Sequence, residues 1–298
     1  MTQRFMIRRG CIAVELSAWY LRRFPFDIAK WRLWKWTKPA IRQLGALLPP
    51  RVLWTKDQFR LLIDPNDHLG REIFLWGEYE PGCSHVMRRL LNPGDNVLDI
   101  GANIGYFTFL AASYVGETGK VIAFEASPIT FQQLKRNTDL NQFKQVEIRC
   151  QAVSKAPGRL TFYQGPFDHS GVSALRPISN SSASFEVQTL KLDQERESLP
   201  TIAYVKIDVE GAEFDVLTGM QEILHRDSPE VMLELTDEYL KDFGSSAEAL
   251  VTLMGEQGYT CYMISDQGLT PLTHWDPTLT DQQVNVLFSV HDVSSIRW

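Results

Sequence analysis

No two of the four cysteines, Cys11, Cys83, Cys150 and Cys261, have the Cys-x-x-Cys spacing of a zinc or dithiol site. Cys150 and Cys261 fall in apolar segments and are expected to be buried small hydrophobes, and a reducing, cytoplasmic setting is expected. No stretch approaches the roughly 18 apolar residues that a membrane-spanning helix needs. The apolar run at 11–21 is interrupted by Glu15 and closed by Arg22-Arg23 without a small-residue cleavage site, so a signal peptide is not expected. There is no internal repeat, and no Gly-x-Gly-x-x-Gly loop of the kind that cradles a dinucleotide pyrophosphate.

Charge is present but unevenly spread. Residues 1–51 contain eleven Lys and Arg against only Glu15 and Asp27, a net +9 that leaves −15 for the remainder of a chain whose total is −6. An acidic body repels phosphates and argues against a nucleic-acid partner. Hydrophobic residues at 44% and charged residues at 22% are ordinary for a globular chain and supply a core. The expected division is a basic, Trp-rich helical extension over 1–50, ending at Pro49-Pro50, and a catalytic domain over 51–298. In the extension, Trp31, Trp34 and Trp36 alternate with Lys30, Arg32 and Lys35. These tryptophans can pack on the protein's own body, or form a basic, aromatic surface for an anionic membrane or glycan carrier.

From residue 96 onward strands and helices alternate. Strands are expected at 96–100, 121–125, 146–150, 203–207, 231–235, 259–264 and 285–290, with a further antiparallel pair at 159–163 and 185–190. Helices are expected near 104–115, after Ser127-Pro128, over 213–225 and over 246–257. This order predicts an α/β fold, a mostly parallel seven-stranded sheet with helices on both faces. Ligands of such sheets bind beyond the carboxyl ends of the strands.

Acids stand at those ends. Asp99 closes the first strand and is followed by Gly101-Ala-Asn103-Ile-Gly105, a tight glycine turn into a helix. A carboxylate there disfavours pyrophosphate and suits a cationic ligand such as S-adenosylmethionine, with its sulfonium and amino group. Glu125, twenty-six residues later, closes the second strand and is placed to accept hydrogen bonds from ribose hydroxyls. Asp208 closes the fourth strand, directly before Glu210-Gly211-Ala212-Glu213, and Glu234 closes the fifth. Asp208 at the strand tip is the expected general base. A divalent metal held by Asp208, with Glu234 as second ligand, is the subsidiary alternative. Glu213 is expected in the first turn of its helix, favouring the dipole. Lys206 is expected across the pleat from Asp208, without pairing. Within the polar stretch 164–184, His169 beside Asp168 is a secondary candidate, and Glu78-Tyr79-Glu80 could line the cleft.

Asp-Ile-Gly-Ala-Asn-Ile-Gly (99–105), Phe-Glu-Ala-Ser-Pro (124–128) and Lys-Ile-Asp-Val-Glu-Gly-Ala-Glu (206–213) together resemble the FkbM-type S-adenosylmethionine-dependent methyltransferases. Ala152-Val153-Ser154 and the Gly-Val-Ser at 171–173 are weaker landmarks, and the resemblance runs from about Glu78 to Leu235, leaving 1–50 outside. It implies a Rossmann-like class I methyltransferase sheet, S-adenosylmethionine as cofactor, and methylation of a hydroxyl on a sugar, glycan or natural product. A nicotinamide-dependent oxidoreductase and a non-catalytic binding protein on the same scaffold are the competing readings, and N-methylation remains open.

Overall fold

The computed structural model describes residues 2–23, 33, 35, 37, 39, 48–163, 184–265, 267–279 and 282–297. Trp31, Trp34, Trp36 and the stretch 164–183 that contains His169 therefore lie outside the described residues. The chain divides into two compact units, Met1–Tyr79 and a larger one comprising Glu80–Gln164 and Val172–Trp298.

In the smaller unit, helix α1 (Thr2–Arg23) buries Val14, Ser17, Ala18 and Leu21, a stripe at helical spacing. An antiparallel hairpin follows, β1 (Arg51–Trp54) with β2 (Arg60–Ile63), and then α2 (His68–Trp76), against which α1 packs. Arg22 donates to the carbonyl of Phe74 and lies over its ring, 5.3 Å from the centroid. Gly77 ends α2 in the left-handed conformation, returning its N–H to Ile73 at 2.8 Å.

The larger unit begins with α3 (Pro81–Leu90) and β3 (Asn96–Ile100). Next come α4 (Tyr106–Val115), β4 (Lys120–Phe124), α5 (Pro128–Leu140) and β5 (Val146–Arg149). Ser127 caps α5, its hydroxyl accepting from the Thr130 N–H at 3.3 Å, with Pro128 as the first helical residue. The short strands β6 (Ala152–Val153), β7 (Gly158–Tyr163) and β8 (Ser184–Leu190) form a separate three-stranded sheet in which β7 and β8 are antiparallel, as expected.

The chain then re-enters the main sheet as β9 (Tyr204–Ile207), followed by α6 (Glu213–Thr218), α7 (Gln221–Asp227) and β10 (Glu230–Thr236). It ends with α8 (Asp237–Asp242), α9 (Ala247–Glu256), β11 (Thr260–Ser265), β12 (Gly268–Leu272) and β13 (Gln283–Ser289). The main sheet has the order β12-β11-β13-β10-β9-β3-β4-β5. β13 and β12 run against the other strands. All seven expected strands are present. The sheet counts eight because β12 adds an edge, and this strand carries Pro271, a residue tolerated only where a ladder hydrogen bond can be forgone.

Val121, Ile122, Ala123 and Phe124 are all at most 1% exposed. Successive strand residues point to opposite faces, so both faces of β4 are covered. The sheet therefore buries apolar side chains on each side, as a doubly wound α/β sheet must. The order reverses beside β3, with β4 on one side and β9 on the other, and the crevice at that reversal is where such sheets bind ligands.

Two local expectations are corrected. The helix expected over 213–225 is two helices, because Gly219 and Met220 break it. A Cβ on Gly219 would lie 2.2 Å from the Ser154 carbonyl oxygen, and the Gly219 carbonyl accepts from the Asp193 N–H. Asp193 in turn accepts from the N–H groups of Glu222 and Ile223, opening α7 from a distant part of the chain. Cys150 is exposed, because β5 ends at Arg149 on the sheet edge; Cys261 is buried as expected.

Candidate active site

Four of the six expected site residues, Gly101, Asn103, Gly105 and Glu125, sit on the turns that follow β3 and β4, and Asp99 is the penultimate residue of β3. Gly101 and Ala102 both donate to the Phe124 carbonyl at 2.9 Å, which ties the turn after β3 to the end of β4. Gly101 and Gly105 have φ of 85° and 98°, and Asn103 has φ of 51°. Asparagine is among the few non-glycine residues that enter this left-handed region readily. At Gly101 a side chain is also excluded sterically, since a Cβ would lie 1.8 Å from the Asp208 carbonyl oxygen. Asn137 of α5 closes the turn from outside, donating to the Ile104 carbonyl at 2.8 Å.

Asp99 and Glu125 are buried and differently satisfied. Glu125 accepts the Asn103 N–H on one oxygen at 2.9 Å and the Ser127 N–H on the other at 2.8 Å. Each oxygen retains a lone pair, so the carboxylate is locked in orientation yet still able to accept two hydroxyls. Burial pushes its pKa up to about 7, against the lowering effect of the two backbone N–H groups. Asp99 accepts the Thr108 hydroxyl at 2.5 Å on one oxygen, while its other oxygen is buried and makes no hydrogen bond. Burial raises its pKa despite Lys206 and Thr108. An orphaned buried carboxylate oxygen is costly unless a donor or cation reaches it. A nucleoside cofactor carrying a cationic group therefore fits this acid pair.

Lys206 corrects the sequence expectation directly. Its Nζ lies 2.8 Å from Asp208 Oδ2. Residues two apart along a strand share a face, so 206 and 208 are on the same side of the pleat. Asp99 is the cross-strand neighbour of Lys206 in the β3–β9 register. The ammonium is buried, 4.7 Å from the centroid of the Phe107 ring. Burial alone would depress its pKa; the charges of Asp208, Glu80 and Asp99 outweigh that and hold it above the usual lysine range.

Beyond this pair lie three further carboxylates. Glu210 has φ of 53° and a pKa pushed up to about 8 by burial, then by Asp208 and Glu213. Glu234 is pushed up to about 9 by burial, then by Asp208, Glu80 and Glu210. Glu213 is buried, and one of its oxygens accepts from Gly211 at 3.1 Å and Val209 at 3.3 Å, so it closes the loop after β9. Burial pushes its pKa up to about 7. The structure thus brings Asp99, Gly101, Asn103, Gly105, Glu125 and Asp208 to one crevice. It adds Lys206, Thr108, Phe107 and Asn137, which were not singled out as functional. Thr108 and Phe107 lie one helical turn beyond Gly105, the only sequence signal that they face the same turn. Among the described residues, no group of three or more His, Cys, Asp or Glu side chains converges to hold a metal ion.

The raised carboxylates set a pH dependence. Glu125, Glu210, Glu213 and Glu234 have folded pKa values above the ordinary 4.5, so the folded state holds more protons than the unfolded one between 4.5 and the raised values. The stability they contribute is present at low pH and is lost as pH rises through those values. Glu147 and Asp237, whose pKa values are lowered, act below that window. The melting temperature of the ligand-free protein is therefore expected to fall between pH 5 and pH 9 (about the window of the raised values). Calorimetry at constant ionic strength reads it, and a flat or rising profile contradicts this account of the cluster.

Residues 99–261, more than half of the chain, match the family model described as the methyltransferase FkbM domain. The chain is 32% identical over 148 residues to the hexuronic acid methyltransferase AglP of Haloferax volcanii, covering 48% of this chain and 58% of that protein. It is 28% identical over 201 residues to the 31-O-demethyl-FK506 methyltransferase FkbM of Streptomyces tacrolimicus, covering 57% of this chain and 74% of that protein. Among solved structures, methyltransferase FkbM from Methylobacillus flagellatus aligns with a TM-score of 0.43 at 14% identity, over 94% of this chain and 59% of that one.

Proposed function

The chain belongs to the FkbM methyltransferase family, and from that premise we propose that it transfers a methyl group from S-adenosylmethionine to a hydroxyl of a sugar, a glycan or a natural product. The carrying observation is the acid at three adjacent strand ends around the sheet reversal, Asp99 at the penultimate position of β3, Glu125 after β4 and Asp208 after β9. The catalytic domain is assigned to 51–298, and the cytoplasmic setting expected from the cysteine spacing is part of the same reading. A sugar acceptor is supported by one relative, a hexuronic acid methyltransferase, and an oxygen acceptor on a natural product by another, a 31-O-demethyl-FK506 methyltransferase.

S-adenosylmethionine, when bound, supplies a methyl group on a cationic sulfur. The protein's own contributions divide along the crevice. Glu125, fixed by two backbone N–H groups, accepts the ribose hydroxyls. Asp99 offers its unpaired oxygen to the cationic part of the cofactor. Gly101, Asn103 and Gly105 keep the turn narrow enough for close approach. Asp208, whose side chain is 27% exposed, is the reachable carboxylate and takes the proton from the acceptor hydroxyl as oxygen attacks the methyl carbon. Glu210 and Glu234 carry protons at neutrality and act as hydrogen-bond donors to a polyhydroxyl acceptor.

Glu125→Ala is expected to weaken S-adenosylmethionine binding by about 1–3 kcal/mol, roughly five- to 150-fold, the scale of hydrogen bonds to a charged group. Titration calorimetry measures it, and unchanged affinity would remove the ribose assignment. The acceptor is tested by incubating the enzyme with labelled cofactor and a panel of hexuronic acids, neutral sugars and amines. Label in an ether supports the proposal; label only in methylamines replaces it with N-methylation.

A further inference from the structure

Eight large apolar side chains are exposed among the described residues, and five of them, Ile12, Leu16, Trp19, Val52 and Trp54, belong to Met1–Tyr79. That concentration exceeds what scattered surface hydrophobics produce, since this unit is the smaller of the two. Three lie on α1. Ile12 is 53% exposed, Leu16 63% and Trp19 46%, and the spacing of four and then three residues places them on one helical face with exposed Arg23 one turn further. The opposite face, Val14, Ala18 and Leu21, is buried. Thus α1 is apolar on both sides, one face packed on its own unit and the other presented outward. On the hairpin, Val52 and Trp54 share one face of β1 and are 46% and 60% exposed, with the Arg60 guanidinium 5.5 Å from the Trp54 ring centroid.

We infer that the outward face of α1 is a docking surface for an anionic lipid membrane, on which the enzyme lies without spanning it. The charge selects this occupant. Residues 1–51 carry a net +9 while the remainder carries −15, so only this end of the chain is attracted to anionic headgroups. An apolar stripe containing a tryptophan, flanked by arginine, suits the boundary between headgroups and acyl chains, where Trp and Arg each satisfy an apolar and a polar neighbour at once. No described helix is long and apolar enough to cross a membrane, so the contact is one that rests on the surface. The inference stands independently of the methyl acceptor.

The test is co-sedimentation of the full chain with vesicles of phosphatidylcholine, with or without phosphatidylglycerol, at low and high salt. Binding is expected only to the phosphatidylglycerol vesicles, and to decrease as salt rises. The triple variant Ile12→Ser, Leu16→Ser, Trp19→Ser keeps every charge and is expected to bind at least about tenfold more weakly, since withdrawing three large apolar side chains from water exceeds the roughly 1.4 kcal/mol that a factor of ten requires. Ile129→Ser, at an exposed apolar position of the larger unit, serves as the control and is expected to bind normally. No vesicle binding overturns the inference. Salt-sensitive binding that the triple variant retains also overturns it, because the stripe then plays no part. A change in oligomeric state in the triple variant, without vesicle binding by the parent, assigns the face to a second copy instead.

Discussion

Asp208→Asn is expected to lower turnover about 10²–10⁴-fold, the range associated with loss of a positioned general base. Asparagine has the same shape and its carbonyl oxygen can still accept from the Lys206 ammonium, so the change removes a charge and a proton acceptor with little disturbance of packing. The residues proposed to hold the cofactor are others, Asp99, Glu125 and the glycine turn, and S-adenosylmethionine affinity is expected to change little. Single-turnover kinetics with saturating cofactor, alongside calorimetric binding, separates the two quantities. Parent-like turnover in a folded Asp208→Asn protein assigns the base to another group; loss of cofactor binding in proportion to activity makes Asp208 part of the cofactor site.

Lys206→Met is expected to destabilise the fold by about 3–5 kcal/mol, the cost of breaking a buried ion pair and stranding the partner charge. Methionine preserves the apolar stem and its packing on Phe107, so the loss isolates the ammonium. Two carboxylates would be left facing each other across β3 and β9, Asp99 and Asp208, with burial already raising the first. Asp99, deprived of the Lys206 charge that favours its ionised form, would then hold its proton to higher pH. The activity profile of Lys206→Met is therefore expected to shift toward alkaline pH, and Lys206→Arg to restore part of the stability. Denaturant unfolding gives the first quantity and the pH dependence of kcat/KM the second. A variant as stable as the parent, with an unmoved profile, shows that the ammonium does not balance these acids.

Much of the architecture was legible because buried parallel strands read as unbroken apolar runs. Val121–Phe124 and Val231–Leu233 are such runs, and each is followed closely by an acid. Asp99, Glu125 and Asp208 were singled out chiefly by position, since a carboxylate at the end of a buried strand has few structural reasons to be there. What escaped depends on distant residues or on counting faces correctly. Lys206 and Asp208 were placed on opposite sides of the pleat, although a separation of two returns the chain to the same side. The restart of the chain as α7 after Gly219 and Met220 is supported by Asp193, nearly thirty residues before the helix it opens, a partner that no local pattern announces. β12 was missed because its buried and exposed residues do not alternate, as an edge strand need not. The orphaned oxygen of Asp99 is a property of three-dimensional surroundings only.

Gly101 has a consequence for how the two halves of the crevice communicate. Its Cα sits so close to the Asp208 carbonyl that no methyl group fits between them, and the Asp208 N–H bonds to the Ile100 carbonyl at 2.9 Å. The turn proposed to receive the cofactor and the strand tip proposed to meet the acceptor are thus in direct contact, with no compressible side chain between them. A displacement of one is transmitted to the other. Occupancy of either site then alters the free energy of filling its neighbour, and by thermodynamic reciprocity the factor is the same in both directions. An acceptor that tightens S-adenosylmethionine binding must itself be held more tightly by the cofactor-loaded enzyme, so the order in which the two ligands are added leaves their combined affinity unchanged.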